Sequence, residues 1–294
     1  MRPRVHLTSR VPAEVEEAIA RDFELVPAPT GADGIMSVLT VTVDDAYLEA
    51  AGPQLRVMAN YAVGVNNIDL EAAKRRNVVV SNTPDVLTLA TAELAIGLLL
   101  SLLRRITEGD RLIRRREEWR FSLEFMLGSG LADRRLLIVG PGRIGRETAR
   151  LAEAFGAVPR FAGRGDDLLS LLPEADIVSL HCPLTAETRH LIGSRELAAM
   201  SPTAVLVNTA RGPIVDEAAL VEALRERRIA GAALDVYEDE PRVHEGLLDF
   251  ENVVLAPHLG SATRDTRVAM GMLCVQALRA VLLEGRTPAN AVVR

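Results

Sequence analysis

Four residues of this 294-residue chain combine a reactive type with a telling position. Arg211, Asp235, Glu240 and His258 each lie just beyond a short apolar run of strand length: Ala204–Asn208, Gly231–Asp235 and Val253–Ala256. In a doubly wound sheet, ligands gather outside the carboxyl ends of the strands. A guanidinium fork there can bind a carboxylate in two-point fashion. A histidine can give or take a proton, and a carboxylate beside it favours the imidazolium form. A second feature lies upstream, where Leu136–Val139 runs into Gly140-Pro141-Gly142-Arg143-Ile144-Gly145 and then into a helical spacing of apolar residues. Strand, glycine turn and helix is the context of a dinucleotide fingerprint. Gly140 serves the tight turn, Gly142 the approach of a pyrophosphate, and Gly145 the packing of helix on strand. The N–H groups of the helix's first turn then meet the phosphates.

These residues need a frame, and two α/β series supply it. In the first, strands are expected at Val5–Leu7, Glu24–Val26, Met36–Thr40, Leu55–Val63 and Val78–Asn82, with helices at Pro12–Arg21, Asp44–Ala51 and Asp69–Arg76. The second has strands at Leu136–Val139, Val158–Ala162, Ile177–Leu180, Ala204–Asn208, Gly231–Asp235 and Val253–Ala256. Alternation of this kind predicts parallel sheets covered by helices. Between the series a helical stretch runs from about Val86 to Ile106 and on through Arg111–Trp119. It is apolar on most of its circumference, which requires burial within the fold or at a subunit interface. A last helix, Thr266 to Leu283, is expected to return to the first domain.

Composition narrows the classes. The chain has 48% hydrophobic residues, enough for two packed cores, and a net charge of −6, which gives no electrostatic case for nucleic acid. Cys182 and Cys274 stand far apart with no metal-ligand pattern, as expected of free thiols in a reducing compartment. Arg4–Leu7 enters a strand directly, and the apolar run Leu94 to Leu103 is too short for a bilayer, so a cytoplasmic protein without membrane contact is expected.

Seven ordered segments carry a family likeness: NYAVGVNNID (60–69), SNTPDVLTLATAELAIGLLL (81–100), IVGPGRIG (138–145), VSLHCPLTAETRHLI (178–192), VNTARGPIVDE (207–217), ALDVYEDEP (233–241) and PHLGSAT (257–263). Together they resemble the D-isomer-specific 2-hydroxyacid dehydrogenases, closest to the glyoxylate/hydroxypyruvate reductase branch. The resemblance implies an α/β protein of two doubly wound parallel-sheet domains. A flavodoxin-like substrate domain would take residues 1–87 and 268–294. A Rossmann-type NAD(P)-binding domain would take 88–267, with a dimerisation helix and loop at 88–130.

It further implies NAD(P)H-dependent reduction of small 2-oxo acids. Arg211 would bind the substrate carboxylate and polarise the keto oxygen, His258 would donate the proton, and Glu240 would support it. Val63 and Gly64 would complete the carboxylate site through their backbone N–H groups. Cofactor contacts would come from Thr91, Gly140, Gly142, Arg143, Ile144, Gly145, Gly163, Arg164, Cys182, Pro183, Thr209, Ala210, Asp235, His258 and Gly260, with Asp235 on the nicotinamide carboxamide and no metal involved. His6, His181, His190 and His244 have no such set around them. Within the same likeness stand two alternatives: a dehydrogenase of another D-2-hydroxy acid such as 3-phosphoglycerate, and a nucleotide-sensing protein akin to the family's transcriptional corepressors.

The cofactor expectation leans to NADP(H) over NAD(H). The second strand of the cofactor domain ends Ala162-Gly163-Arg164, with no carboxylate before Asp166. A small residue followed by arginine leaves room and positive charge for a 2′-phosphate. Relatives usually carry a longer, strand-bearing segment between this point and Asp176, so the adenosine side departs from the family pattern. The loop Phe121 to Gly130 is expected to cross a dimer, with Phe125 or Met126 narrowing the neighbouring site.

Overall fold

The computed structural model describes residues 1–293, and contacts divide it into two compact units, Met1–Leu87 together with the chain from Ser261, and Thr88–Gly260. The first unit contains β1 (Arg4–Leu7), α1 (Ala13–Asp22), β2 (Glu24–Val26), β3 (Gly34–Ser37), α2 (Asp45–Ala51), β4 (Val57–Asn60), α3 (Leu70–Arg75) and β5 (Val79–Ser81). Asp44 and Asp69 cap α2 and α3 by accepting the N–H of Tyr47 and of Ala72. The second unit contains α4 (Thr88–Leu103), α5 (Ile106–Arg114), β6 (Arg135–Val139), α6 (Arg143–Ala154), β7 (Val158–Ala162), α7 (Leu168–Leu171), β8 (Ile177–Leu180), α8 (Ser194–Ala199), β9 (Val205–Asn208), α9 (Glu217–Arg225), β10 (Gly231–Leu234) and β11 (Val253–Leu255). The chain then adds α10 (Arg264–Leu282) and β12 (Ala291–Val293) to the first unit.

The first sheet has the order β12-β5-β4-β3-β1-β2, parallel except for β12, which pairs antiparallel with β5. The second, β11-β10-β9-β8-β6-β7, is parallel throughout. Its inner strands β6, β8, β9 and β10 are buried on both faces, which is why they read as near-continuous apolar runs, whereas β7 at the edge is largely exposed. Leu136 and Ile138 point into one core with Ile96, Leu99 and Ala149, while Leu137 and Val139 point into the other with Leu206, Leu220 and Leu224. The first core takes up the apolar face of α4, so that helix is buried within its own unit.

Several boundaries differ from expectation. The strand expected at Met36–Thr40 is Gly34–Ser37, because the Val41 N–H turns back to the Val38 carbonyl. The one expected over Leu55–Val63 is confined to Val57–Asn60. The long helix breaks after Leu103, where Arg105, the residue before α5, adopts φ 54°. Helix α5 stops at Arg114, so Arg115–Trp119 is not helical. The return to the first unit comes at Ser261 rather than at residue 268. Thr263 caps α10, and Arg264 already pairs with Glu14 on α1.

The connection from β7 to β8 is short, made of α7 and one 3-10 turn, and among the described residues no strand pairs on the outer side of β7. Pro159 sits within β7, and a proline is tolerated in a sheet chiefly on an edge strand. Among the described residues no helix is long and apolar enough to cross a membrane.

Candidate active site

The glycine turn joins β6 to α6. Gly140 has φ 97°, and a Cβ there would lie 2.5 Å from the Cys182 backbone nitrogen. A Cβ on Gly145 would lie 2.4 Å from the Gly140 carbonyl oxygen. Both positions therefore require glycine. Gly142 is different: it is the N-cap of α6, and a Cβ on it would meet no protein atom within 4 Å. The protein's own packing leaves a side chain room at Gly142, in front of a helix N-terminus with no side-chain cap and no acidic residue in its first turn. That is the arrangement an anionic phosphate fits. Cys182 and Pro183 follow β8, with burial pushing the Cys182 thiol up.

At the ends of β9, β10 and β11 the other expected residues meet. Asn208, almost fully buried, accepts the Ala210 N–H at 3.0 Å and donates to the Arg211 carbonyl at 2.9 Å, which fixes the turn that presents Arg211. Gly212 lets that turn press on the next loop, since a Cβ on it would lie 1.8 Å from the Tyr237 carbonyl carbon. Burial presses the Arg211 guanidinium below its ordinary value, and Glu240 opposes this. The group remains a cation at any working pH.

Asp235 is fully buried and builds the turn that carries His258. Its Oδ1 accepts the Leu259 N–H at 2.6 Å and its Oδ2 the Gly260 N–H at 2.8 Å, while its carbonyl accepts the His258 N–H at 2.8 Å. Burial raises the Asp235 carboxyl despite the two N–H groups. The hydroxyl of Thr91 on α4 donates to the Gly260 carbonyl at 3.0 Å. In this turn His258 adopts φ 56°, a left-handed conformation that costs energy outside glycine and tends to cluster at functional positions.

His258 Nδ1 and Glu240 Oε2 are 2.7 Å apart, and the Tyr237 N–H donates to Glu240 Oε1 at 3.1 Å. Burial alone would raise the Glu240 carboxyl. The hydrogen bond and charge of His258, the Tyr237 N–H and Arg211 outweigh it, so the carboxyl lies below its ordinary value. A carboxylate held ionised on Nδ1 fixes the imidazole and leaves Nε2 as the nitrogen that can exchange a proton with a substrate. Thr209, between Asn208 and Ala210, buries its hydroxyl oxygen without a partner among the described residues, a polar atom suited to a ligand group.

Around Gly163 the charges are mixed. Asp166 Oδ2 accepts the Gly163 N–H at 2.7 Å, so a carboxylate lies at the end of β7 along with Arg164. Glu187 is held below its ordinary value by the Thr185 hydroxyl first and, more weakly, by the charge of Arg164. Val63 and Gly64 lie in the first unit, in the turn after β4, with their carbonyls bound by Asn82 and Asn60 at 2.8 Å each. Of the other histidines, burial pulls His181 down to about 4, where it is neutral and bonded to Ser179 at 2.9 Å. No group of three or more His, Cys, Asp or Glu among the described residues could hold a metal.

A glycine turn open to a phosphate and a carboxylate-held histidine on one parallel sheet are the arrangement of a nucleotide-dependent enzyme. The chain belongs to the D-isomer-specific 2-hydroxyacid dehydrogenases, an oxidoreductase family: the model "D-isomer specific 2-hydroxyacid dehydrogenase, NAD binding domain" matches residues 96–260. It is 42% identical to a glyoxylate reductase of Thermococcus litoralis, covering 99% of this chain and 97% of that one. That alignment spans 325 positions against 294 residues here, so the relative has positions without counterpart in this chain. Among solved structures, a Thermus thermophilus protein superposes with TM-score 0.92 at 40% identity, covering 99% of this chain and 100% of that one. An NADPH-dependent glyoxylate/hydroxypyruvate reductase of Sinorhizobium meliloti, in complex with NADP and malonate, gives 0.87 at 35% identity, covering 99% and 97%. The domain match and the glycine turn together support a nicotinamide cofactor.

Proposed function

We propose that this protein is a cytoplasmic, homodimeric reductase of small 2-oxo acids, glyoxylate and hydroxypyruvate first, that uses NADPH in preference to NADH. The observation that carries the reading is the 2.7 Å contact of Glu240 with His258 Nδ1, close to the half-buried Arg211. The names of the Thermococcus and Sinorhizobium relatives supply the substrates. The bound cofactor would supply the hydride. Its phosphates would lie on the turn Gly140 to Gly145 and α6, including Arg143 and Ile144, with Gly163, Arg164, Cys182, Pro183, Thr209, Ala210, Thr91 and Gly260 lining the remainder. Arg211 would hold the substrate carboxylate and draw charge onto the keto oxygen. His258 would deliver its Nε2 proton to that oxygen, with Glu240 stabilising the imidazolium beforehand. Asp235, besides holding the His258 turn, has spare acceptor capacity for a carboxamide N–H.

Loss of reduced-nicotinamide absorbance with each substrate tests the reading. Turnover with a higher kcat/KM for NADPH than for NADH is expected, and no turnover of either substrate would refute it. Arg164→Ala is expected to cut kcat/KM for NADPH by about tenfold, the size of one charge-assisted contact. It should spare NADH, since only the 2′-phosphate needs the charge. Equal loss with both cofactors, or none, would remove Arg164 from the selectivity argument and leave the ribose to Asp166.

The loop after α5 favours the dimer. Phe121, Leu123 and Leu127 are exposed, and Trp119 stacks on Phe125 with centroids 5.9 Å apart. So much apolar surface on one loop marks an interaction site. Phe125→Ala is expected to weaken the dimer in light scattering and broaden the accepted 2-oxo acids, through loss of Phe125 itself or misplacement of Met126. An unchanged mass and substrate range would sink the arm assignment.

A further inference from the structure

The loop that carries Glu240 is gripped by two carboxylates outside the proton path described above. Glu217 opens α9 and is 5% exposed. Its Oε1 accepts the Glu238 N–H at 2.8 Å, and Glu238 Oε2 accepts the Glu217 N–H at 3.2 Å. This reciprocal pair ties the start of α9 to the loop after β10. Glu238 Oε1 also meets His190 Nε2 at 2.5 Å, and the His190 N–H donates to the Pro213 carbonyl at 2.8 Å.

Capping does not account for Glu217. Asp216 already caps α9 by accepting the Ala219 N–H at 3.0 Å. Burial raises the Glu217 carboxyl; the Glu238 N–H lowers it, the Glu238 charge raises it, and His244 lowers it. Burying a carboxyl beside another carboxylate is unfavourable unless its hydrogen bonds are needed. On the other side of the same peptide stands Gly212, whose Cβ, if present, would lie 2.5 Å from the Glu238 nitrogen. The Tyr237–Glu238 peptide is thus fixed from both sides. The neighbouring Tyr237 N–H is the donor on which Glu240 Oε1 rests.

We propose that Glu217 and Glu238 are positioning residues for the Glu240–His258 pair. Their reciprocal hydrogen bonds set the loop backbone so that the Glu240 carboxylate meets His258 Nδ1. The proposal rests on the reading of His258 as proton donor only for its kinetic consequence; its geometric consequence is measurable without substrate.

The test compares Glu217→Ala with Glu217→Gln, which keeps an acceptor oxygen for the Glu238 N–H. In the alanine variant kcat is expected to fall about tenfold, with cofactor KM within about twofold of wild type. The carbon-13 carboxyl titration of Glu240 should move up toward the ordinary glutamate range. The glutamine variant should restore both. Wild-type kcat and an unmoved Glu240 titration in Glu217→Ala, with only Tm lowered, would overturn the proposal. Should that variant fail to fold, Glu238→Ala removes the other half of the clamp from a more exposed position and is read in the same way. If the wild type reduced neither glyoxylate nor hydroxypyruvate, the proton-donor reading would fail, while the carboxyl titration would still decide the positioning role.

Discussion

Replacing His258 with asparagine is expected to lower kcat for reduction by about 10²- to 10⁴-fold, the range for loss of a general acid, with cofactor binding nearly unchanged. Asparagine is the informative choice because of the backbone. Position 258 has φ 56°, which asparagine tolerates better than most residues, so the Leu259 and Gly260 N–H bonds to Asp235 can persist. The loss then reports the proton and not a collapsed turn. Reduction consumes the Nε2 proton and oxidation regenerates it, so raising the pH should slow reduction and favour oxidation. Glu240→Gln removes the carboxylate that holds Nδ1 and is expected to lower kcat for reduction as well. Wild-type kcat in His258→Asn would end the proton-donor assignment.

The second large effect is expected at Arg211. Arg211→Gln should reduce kcat/KM by roughly 10²- to 10³-fold, the scale for removing one partner of a buried charge pair. The loss should divide between KM and kcat, because the guanidinium both binds the carboxylate and stabilises charge on the keto oxygen. Arg211→Lys keeps the charge without the planar fork and should recover only part of the activity. A glutamine variant with raised KM and intact kcat would confine Arg211 to binding; full activity would remove it from the site.

The strands of the second unit and the glycine turn were legible in the sequence because they depend on local pattern. Ile177–Leu180 falls where its apolar run falls, and Gly140 and Gly145 are glycines for the steric reasons the motif implies. Partners distant in sequence were not legible. Nothing local says that Asn208 holds both sides of the Arg211 turn, that Gly212 backs onto Tyr237, or that Glu217 and Glu238 exchange N–H groups. The acidic run Glu238-Asp239-Glu240 reads as solvated loop until the fold gives its members different neighbours. The break of the long helix was equally hidden, because Arg105 carries no breaker signal. Pro159 was a usable signal for the edge strand, available in the sequence and needing only its meaning within a ladder.

The rim position of β7 bears on how such a protein changes length. Removing a central strand would tear two ladders and expose two cores, whereas trimming beyond an edge leaves every remaining pairing intact. The new border then needs guarding against self-association. Here Pro159 withholds one donor, Arg160 places a charge paired with Glu174 at 2.6 Å, and Arg146 lies 5.5 Å from the Phe161 ring centroid. The border is therefore a natural splice point. Residues can be added at the exposed turn after Arg164 without breaking a remaining strand pairing, as long as those three guards stay on the border.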